Sequence, residues 1–266
     1  MPLERFEIQN EKEFLLRGII ETKHPRKRQP VIIFVNGFLD TMGGRGKATL
    51  AKKFQEDGYV TARFDYTYGF GSGSGDPARF TLSHAIADLE RVIEYVMRRG
   101  YVDPERIVLF GFCFGAMAAI MLAAFDERVK AVVSLSCPYE FTDTSITRKT
   151  EHEMARIRLK RYYHISTPFS EQEQRIDYSF FEDGERRDMP RAVRNLRQPL
   201  LVVHGEKDEK VPLANAEEIS RRSPGETELE VLQGYQHELS GRQLGVVHKR
   251  VRDFLQKHLK RTKRKG

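Results

Sequence analysis

A chain of 266 residues, 39% hydrophobic with 17 Phe and 10 Tyr, is long enough for one large domain with a substantial core, or for one domain with an insertion. No apolar run reaches the length of a membrane span, and the N-terminus lacks the basic start and apolar stretch of a secretory signal. The net charge of +7 is concentrated at one end: Lys257, Lys260, Arg261, Lys263, Arg264 and Lys265 supply +6 of it, so specific nucleic-acid binding is not expected. Only Cys113 and Cys137 are present, which favours a reducing, cytoplasmic setting over a disulfide framework.

Two short strands are expected over 4–9 and 14–21, joined by a turn at 10–13. A basic, proline-bounded loop follows at 24–30. Val31-Ile32-Ile33-Phe34-Val35 is continuously apolar, the pattern of a strand buried on both faces of a parallel sheet. A helix from about 47 to 57 carries Leu50, Ala51 and Phe54 on one face and stops at Gly58. The next strand, 59–64, ends at Asp65 and a loop containing Gly69, Gly71, Gly73 and Gly75. A dinucleotide fingerprint needs a glycine at 74 or 76, which are Ser74 and Asp76, and no P-loop lysine follows. Asp65 is expected to tie down this loop. A helix over 82–99 shows helical spacing of Ile86, Leu89, Val92, Ile93 and Val96, and 103–106 reads as a turn.

Ile107-Val108-Leu109-Phe110-Gly111-Phe112-Cys113-Phe114-Gly115-Ala116 reads as strand, sharp turn and helix, with Cys113 at the tip. This is G-x-C-x-G, the cysteine form of the G-x-S-x-G nucleophile elbow. Flanking side chains would collide where strand and helix pass, so glycines are required. The helix N-terminus favours a thiolate and, later, an oxyanion. A buried structural cysteine is the alternative reading of these five residues.

Another buried strand is expected over 129–135. The pattern then changes over 138–196, where helices are expected at 150–162, 170–181 and 189–196. This stretch is too long for a connecting loop and too polar for a sheet core, and reads as a helical cap inserted between core segments 1–137 and 197–266. Tyr162, Tyr163, Phe169, Tyr178, Phe180 and Phe181 could line a substrate pocket, or pack the cap onto the body. His152-Glu153 lacks the second histidine of H-E-x-x-H, so no metal site is expected, and no cofactor is implied. A strand at 199–203 precedes His204-Gly205 and Asp208. The last strand, 228–232, precedes His237, and an amphipathic helix closes the chain over 244–259.

Strands alternating with helices argue for a parallel sheet covered on both faces, with ligands bound at the carboxyl edge. Cys113, Asp208 and His237 each follow a strand at that edge, in the order nucleophile, acid, histidine. The segments V-I-I-F-V-N-G-F (31–38), R-F-D-Y (63–66), D-P-E-R-I-V-L-F-G-F-C-F-G (103–115), L-L-V-V-H-G-E-K-D-E-K-V-P (200–212) and Q-H-E (236–238) resemble those of the α/β-hydrolase superfamily. The elbow cysteine is similar to dienelactone hydrolases. The insertion is similar to esterases and acyl-peptidase-like members. The resemblance implies an α/β fold with a mostly parallel eight-stranded sheet. It also implies Cys113 as nucleophile, His237 as base and then acid, Asp208 as its orienting carboxylate, and the N–H groups of Phe38 and Phe114 as the oxyanion hole.

Two departures stand out: Ala116 replaces the second glycine of the dienelactone elbow, and Asn36 stands where members commonly carry histidine. Asn36 is assigned a loop-shaping role. Glu140 is a second candidate acid, His204 a structural histidine, and Ser134 and Ser136 match no motif. The expected activity is an acyl hydrolase acting on small-molecule ester, lactone or thioester substrates. Alternatives are acyl transfer, or a binding protein with a redox-sensitive or acyl-accepting Cys113.

Overall fold

The computed structural model describes residues 3–167 and 170–259. The basic tail from Lys260 onward lies outside them. In chain order the strands are β1 (Leu3–Gln9), β2 (Leu15–Glu21), β3 (Gln29–Val35), β4 (Val60–Asp65), β5 (Val102–Phe112), β6 (Val129–Leu135), β7 (Tyr162–Thr167), β8 (Ser170–Asp177), β9 (Leu200–Gly205) and β10 (Thr227–Leu232). The helices are α1 (Arg45–Glu56), α2 (Leu82–Met97), α3 (Phe114–Ala123), α4 (Glu151–Lys160), α5 (Ser179–Arg186), α6 (Met189–Asn195), α7 (Ala214–Arg222) and α8 (Arg242–His258).

An eight-stranded sheet runs β1-β2-β4-β3-β5-β6-β9-β10. β2 pairs antiparallel with β1 and with β4, and the other neighbours pair in parallel. This is the expected mostly parallel α/β-hydrolase sheet. The unbroken apolar run of β3 has a direct cause. Val31, Ile33 and Val35 pack into the core on one face, with α2 and α3. Ile32 and Phe34 pack into the core on the other, with α1 and α8. α3 is buried nearly all round, so its run of small and apolar residues has no polar face to offer.

Two expectations need correction. Residues 103–106 are not a turn outside the strand; β5 includes them, with a register shift near Ile107. Residues 170–181 are not one helix, so the insertion is not purely helical. β7 and β8 form an antiparallel hairpin, and α5 begins only at Ser179. Ser170-Glu171-Gln172-Glu173-Gln174 has little intrinsic strand preference, but β7 provides the pairing edge, and strand formation depends on such partners. α4 agrees with expectation and opens on a reciprocal capping box between Thr150 and Glu153.

The 138–196 segment shares a core with the sheet. Phe141, Ile157, Ile165, Ile176, Tyr178, Phe180, Phe181, Met189, Ala192, Val193 and Leu196 belong to the same buried cluster as α2 and α3. Asp183 of α5 accepts hydrogen bonds from the Ser83 N–H (2.8 Å) and hydroxyl at the start of α2.

Candidate active site

Cys113 links β5 to α3 with φ +49° and ψ −118°, a conformation most L-residues avoid. The clearances explain the flanking glycines. A Cβ on Gly111 would lie 2.4 Å from the Ala116 Cα, and one on Gly115 would lie 2.3 Å from the carbonyl oxygens of Val35 and Asn36. The Cys113 N–H is anchored to the Leu135 carbonyl at 2.9 Å. Cys113 is part-buried, and Cys137 is fully buried as a second free thiol.

Asp208 and His237 come from the loops after β9 and β10. His237 Nδ1 lies 2.8 Å from Asp208 Oδ2, and the Cys113 thiol is near enough to help raise the pKa of the same imidazole. The other Asp208 oxygen accepts from the N–H groups of Lys210 and Val211, each at 2.9 Å, which fixes the carboxylate plane. Burial alone would lower the His237 pKa, but Asp208 and Cys113 outweigh burial and lift it to about 10. Burial opposes ionisation of Asp208 too, yet His237 and the Val211 N–H hold its carboxyl below the usual range.

Phe114 is the first residue of α3, so its N–H has no intrahelical acceptor. The loop bearing Phe38 is braced from beneath: Asn36 Nδ2 donates to the Phe64 carbonyl at 2.6 Å, and the Tyr66 hydroxyl donates to the Asn36 carbonyl at 2.8 Å. Gly37 passes close enough to the elbow that a Cβ would sit 3.0 Å from the Phe112 carbonyl. Phe38, Cys113, Phe114 and His237 all line one cavity of about 700 Å³.

The aromatic residues expected in that pocket are elsewhere. Tyr162, Tyr163, Tyr178, Phe180 and Phe181 are not among its lining residues. Phe180 instead stacks on Phe38 at 4.6 Å and contacts Phe114 and Phe141. Tyr162, Tyr163 and Tyr178 carry Arg175, Lys149 and Arg161 over their rings. Tyr178, Phe180 and Phe181 belong to the core shared with the body and Tyr163 packs against it, because rings this large gain more by filling that joint. Phe169 lies outside the described residues. The insertion reaches the cavity through Thr144, Ser145, Ile146, Ile165 and Ser166, smaller side chains that pattern reading had no reason to single out.

The remaining candidates separate cleanly. Asp65 accepts from the Met42 N–H and from the Ser72 N–H and hydroxyl, binding the glycine loop to the loop after β3. His204 is fully buried, with Nε2 2.9 Å from the Val211 carbonyl. Glu140 is exposed and is not a partner of His237, whose carboxylate contact is Asp208. Ser134 is buried, and Ser136 lines the cavity. Sequence reading missed Lys47 and Asp40, a charged pair in the cavity wall. The signal was a lysine three and four residues before the buried Leu50 and Ala51, on the same face of the helix. Among the described residues no cluster of three or more His, Cys, Asp or Glu could hold a metal ion, and no helix is long and apolar enough to cross a membrane.

The human mitochondrial palmitoyl-protein thioesterase ABHD10 is 26% identical over 204 residues, covering 75% of this chain and 64% of the relative. The quorum-quenching protein AidA of Acinetobacter baumannii (strain MDR-ZJ06) is 34% identical over 118 residues, 43% of this chain and 36% of the relative. The chain thus spans less than two thirds of the length of these curated relatives. Among solved structures, Est1E of Butyrivibrio proteoclasticus with ferulic acid bound aligns with a TM-score of 0.82 at 20% identity, covering 96% of this chain and 99% of that one. The mouse α/β-hydrolase domain-containing protein 10 aligns with a TM-score of 0.74, also at 20% identity, over 96% and 99% of the two chains. Both likenesses are to the fold. The prolyl oligopeptidase family model matches residues 78–262, a stretch that includes Cys113, Asp208 and His237, and the chain belongs to that family of α/β-hydrolases.

Proposed function

We propose that this protein is an acyl hydrolase that cleaves ester or thioester bonds through Cys113, His237 and Asp208. The observation that carries the reading is that the buried Asp208 holds His237 at 2.8 Å and that His237 and Cys113 line the same cavity and interact electrostatically. The thiolate sulfur of Cys113 attacks the acyl carbon, and the carbonyl π pair moves onto oxygen. The N–H groups of Phe38 and Phe114 receive that oxyanion. As the tetrahedral species collapses, the bond to the leaving oxygen or sulfur breaks and the His237 imidazolium protonates it. A thioester to Cys113 is left. Water then attacks with its proton passing to His237, the carbon–sulfur bond breaks, and the acid and free thiol are released.

Thiolate is a better leaving group than amine, so esters and thioesters are favoured over amides. The thioesterase named among the relatives and the esterase among the structural neighbours are consistent with this class. Residues 138–196 act as a cap whose hydroxyl and aliphatic side chains close one side of the cavity. A reducing compartment suits the mechanism, because both cysteines are free thiols.

Hydrolysis of short and aromatic 4-nitrophenyl esters between pH 5 and 9, beside Cys113→Ala and Cys113→Ser, tests the reading. Turnover by the wild type and its loss in the alanine variant are expected. Equal turnover by Cys113→Ala would reject Cys113 as nucleophile and leave it as a redox or acyl-accepting thiol.

A further inference from the structure

Part of the cavity wall contributed from outside the insertion is charged. Lys47, in the first turn of α1, is 4% exposed, and its ammonium pairs with Asp40, whose side chain is 34% exposed. Both residues line the same cavity as Cys113 and His237. The ammonium also lies 5.5 Å from the ring of Phe112, the residue before Cys113. Helix stability gives no reason for a lysine here. The first turn of a helix favours acidic residues, and the first turn of α1 contains none.

Burying an ammonium is costly unless opposite charge surrounds it. The neighbouring charges are already committed. Asp65 spends its oxygens on the Met42 N–H and on Ser72. Arg63 adds positive charge nearby and is itself held by Glu21 and the Met42 carbonyl. Asp40 also accepts from the Thr41 N–H, so it divides its charge. Burial outweighs the attraction of Asp40 and Asp65 and leaves the Lys47 pKa below the ordinary lysine value. Among the described residues, the carboxylate within ion-pair distance of this buried cation is that of Asp40, which is itself a third exposed at the cavity wall.

We propose that Lys47 determines specificity in this cavity by binding a carboxylate on the substrate, so that preferred substrates are esters or thioesters carrying a second, anionic group. This inference rests on the acyl-hydrolase reading. Asp40 is the resting partner of the ammonium, and an incoming carboxylate shares or replaces it. Burial strengthens such a contact, because the ion pair forms away from water.

The test compares 4-nitrophenyl butyrate with mono-(4-nitrophenyl) glutarate on wild type, Lys47→Met, Lys47→Arg and Asp40→Asn. Wild type is expected to favour the glutarate ester in kcat/KM. Lys47→Met is expected to lower the glutarate-to-butyrate ratio at least about tenfold, chiefly through KM, and Lys47→Arg to restore most of it. Asp40→Asn is expected to raise the ratio, because the competing carboxylate is gone. A ratio unchanged by Lys47→Met overturns the proposal, as does a wild-type preference for the neutral ester.

Calorimetric titration with glutaramate, which carries a carboxylate, and with neutral butyramide gives a readout that needs no turnover. Wild type is expected to bind glutaramate at least about tenfold more tightly, with the difference lost in Lys47→Met. Tight glutaramate binding without ester hydrolysis would keep the subsite and reject the hydrolase reading. Equal binding of the two amides by wild type would reject the subsite whatever the turnover. Circular dichroism and thermal melts of each variant establish that it is folded.

Discussion

Asp208 has a fully buried side chain, so its charge is held by contacts rather than by water. The partner it holds, His237, keeps its proton to about pH 10. A folded pKa above the unfolded value means that this protonation stabilises the protein fully below about pH 6.5, with the benefit lost as pH climbs toward 10. The lowered Asp208 pKa works at the other end, where its contribution disappears as pH falls below the ordinary Asp value of 3.8. Asp208→Asn should therefore lose most melting temperature, relative to wild type, between about pH 4 and 6.5. The same substitution should lower kcat/KM by ~10²- to 10⁴-fold and move the alkaline limb of its pH profile down from near 10. An alkaline limb that stays in place would show that His237 is not the titrating acid. Asp88 carries the opposite sign. Burial lifts its pKa to about 6, against the opposing pull of the Thr67 N–H, the Thr67 hydroxyl and Arg91. Stability contributed by Asp88 should fall as pH rises from about 4 to 6. Asp88→Asn should flatten the dependence of melting temperature on pH in that window. A slope equal to that of wild type would reject this assignment.

Glycines that look alike in sequence differ sharply once elements pack. Gly115 sits where α3 crosses the end of β3, and a methyl there meets two carbonyl oxygens at 2.3 Å. Gly115→Ala should cost about 3 kcal/mol or more and displace Cys113, visible as a lower urea midpoint together with lost turnover. Gly245 lies inside α8, and a methyl there meets nothing within 4 Å. Gly245→Ala should raise stability by about 0.5–1 kcal/mol with turnover unchanged, read from the same urea curves. A destabilised Gly245→Ala would reject the open-space argument. The elbow was legible in advance because steric demand is local: strand, glycine, nucleophile, glycine and helix are adjacent in the chain. The order of Cys113, Asp208 and His237 was legible because βα crossovers put the ends of the parallel strands on one edge. The β7–β8 hairpin was not legible, because its polar second strand is stabilised by pairing with Tyr162–Thr167 rather than by its own composition. Pocket lining was misread for a related reason. Aromatic residues announce burial, and they do not announce which of two surfaces they fill. Lys47 escaped notice because its significance depends on Asp40 and Phe112 meeting it in space.

At the scale of the whole molecule, the insertion and the sheet are joined through one set of aromatic contacts. Phe180 is 1% exposed and stacks on Phe38 at 4.6 Å, and both rings reach Phe114. Two of these residues supply the N–H groups proposed to receive the oxyanion, so the contact that holds the cap also steadies the backbone that bears them. Asp183 adds a polar latch across the same joint by binding the start of α2. A cap with its own core would melt separately, but this one shares its buried cluster with α2 and α3. Wild type should therefore unfold in a single calorimetric transition. Phe180→Ala should lower stability by ~3–5 kcal/mol and still give one transition, because the cavity opens in the shared core. Turnover in the same variant should fall through kcat more than through KM, since Phe38 loses the ring that supports it while the cavity walls at Ile146 and Ile165 remain. Two resolved transitions, or proteolysis confined to 138–196 at temperatures where the sheet stays folded, would reject the shared core. A Phe180→Ala variant that is destabilised but keeps the wild-type kcat would separate the two roles, leaving Phe180 to hold the cap without supporting the oxyanion loop.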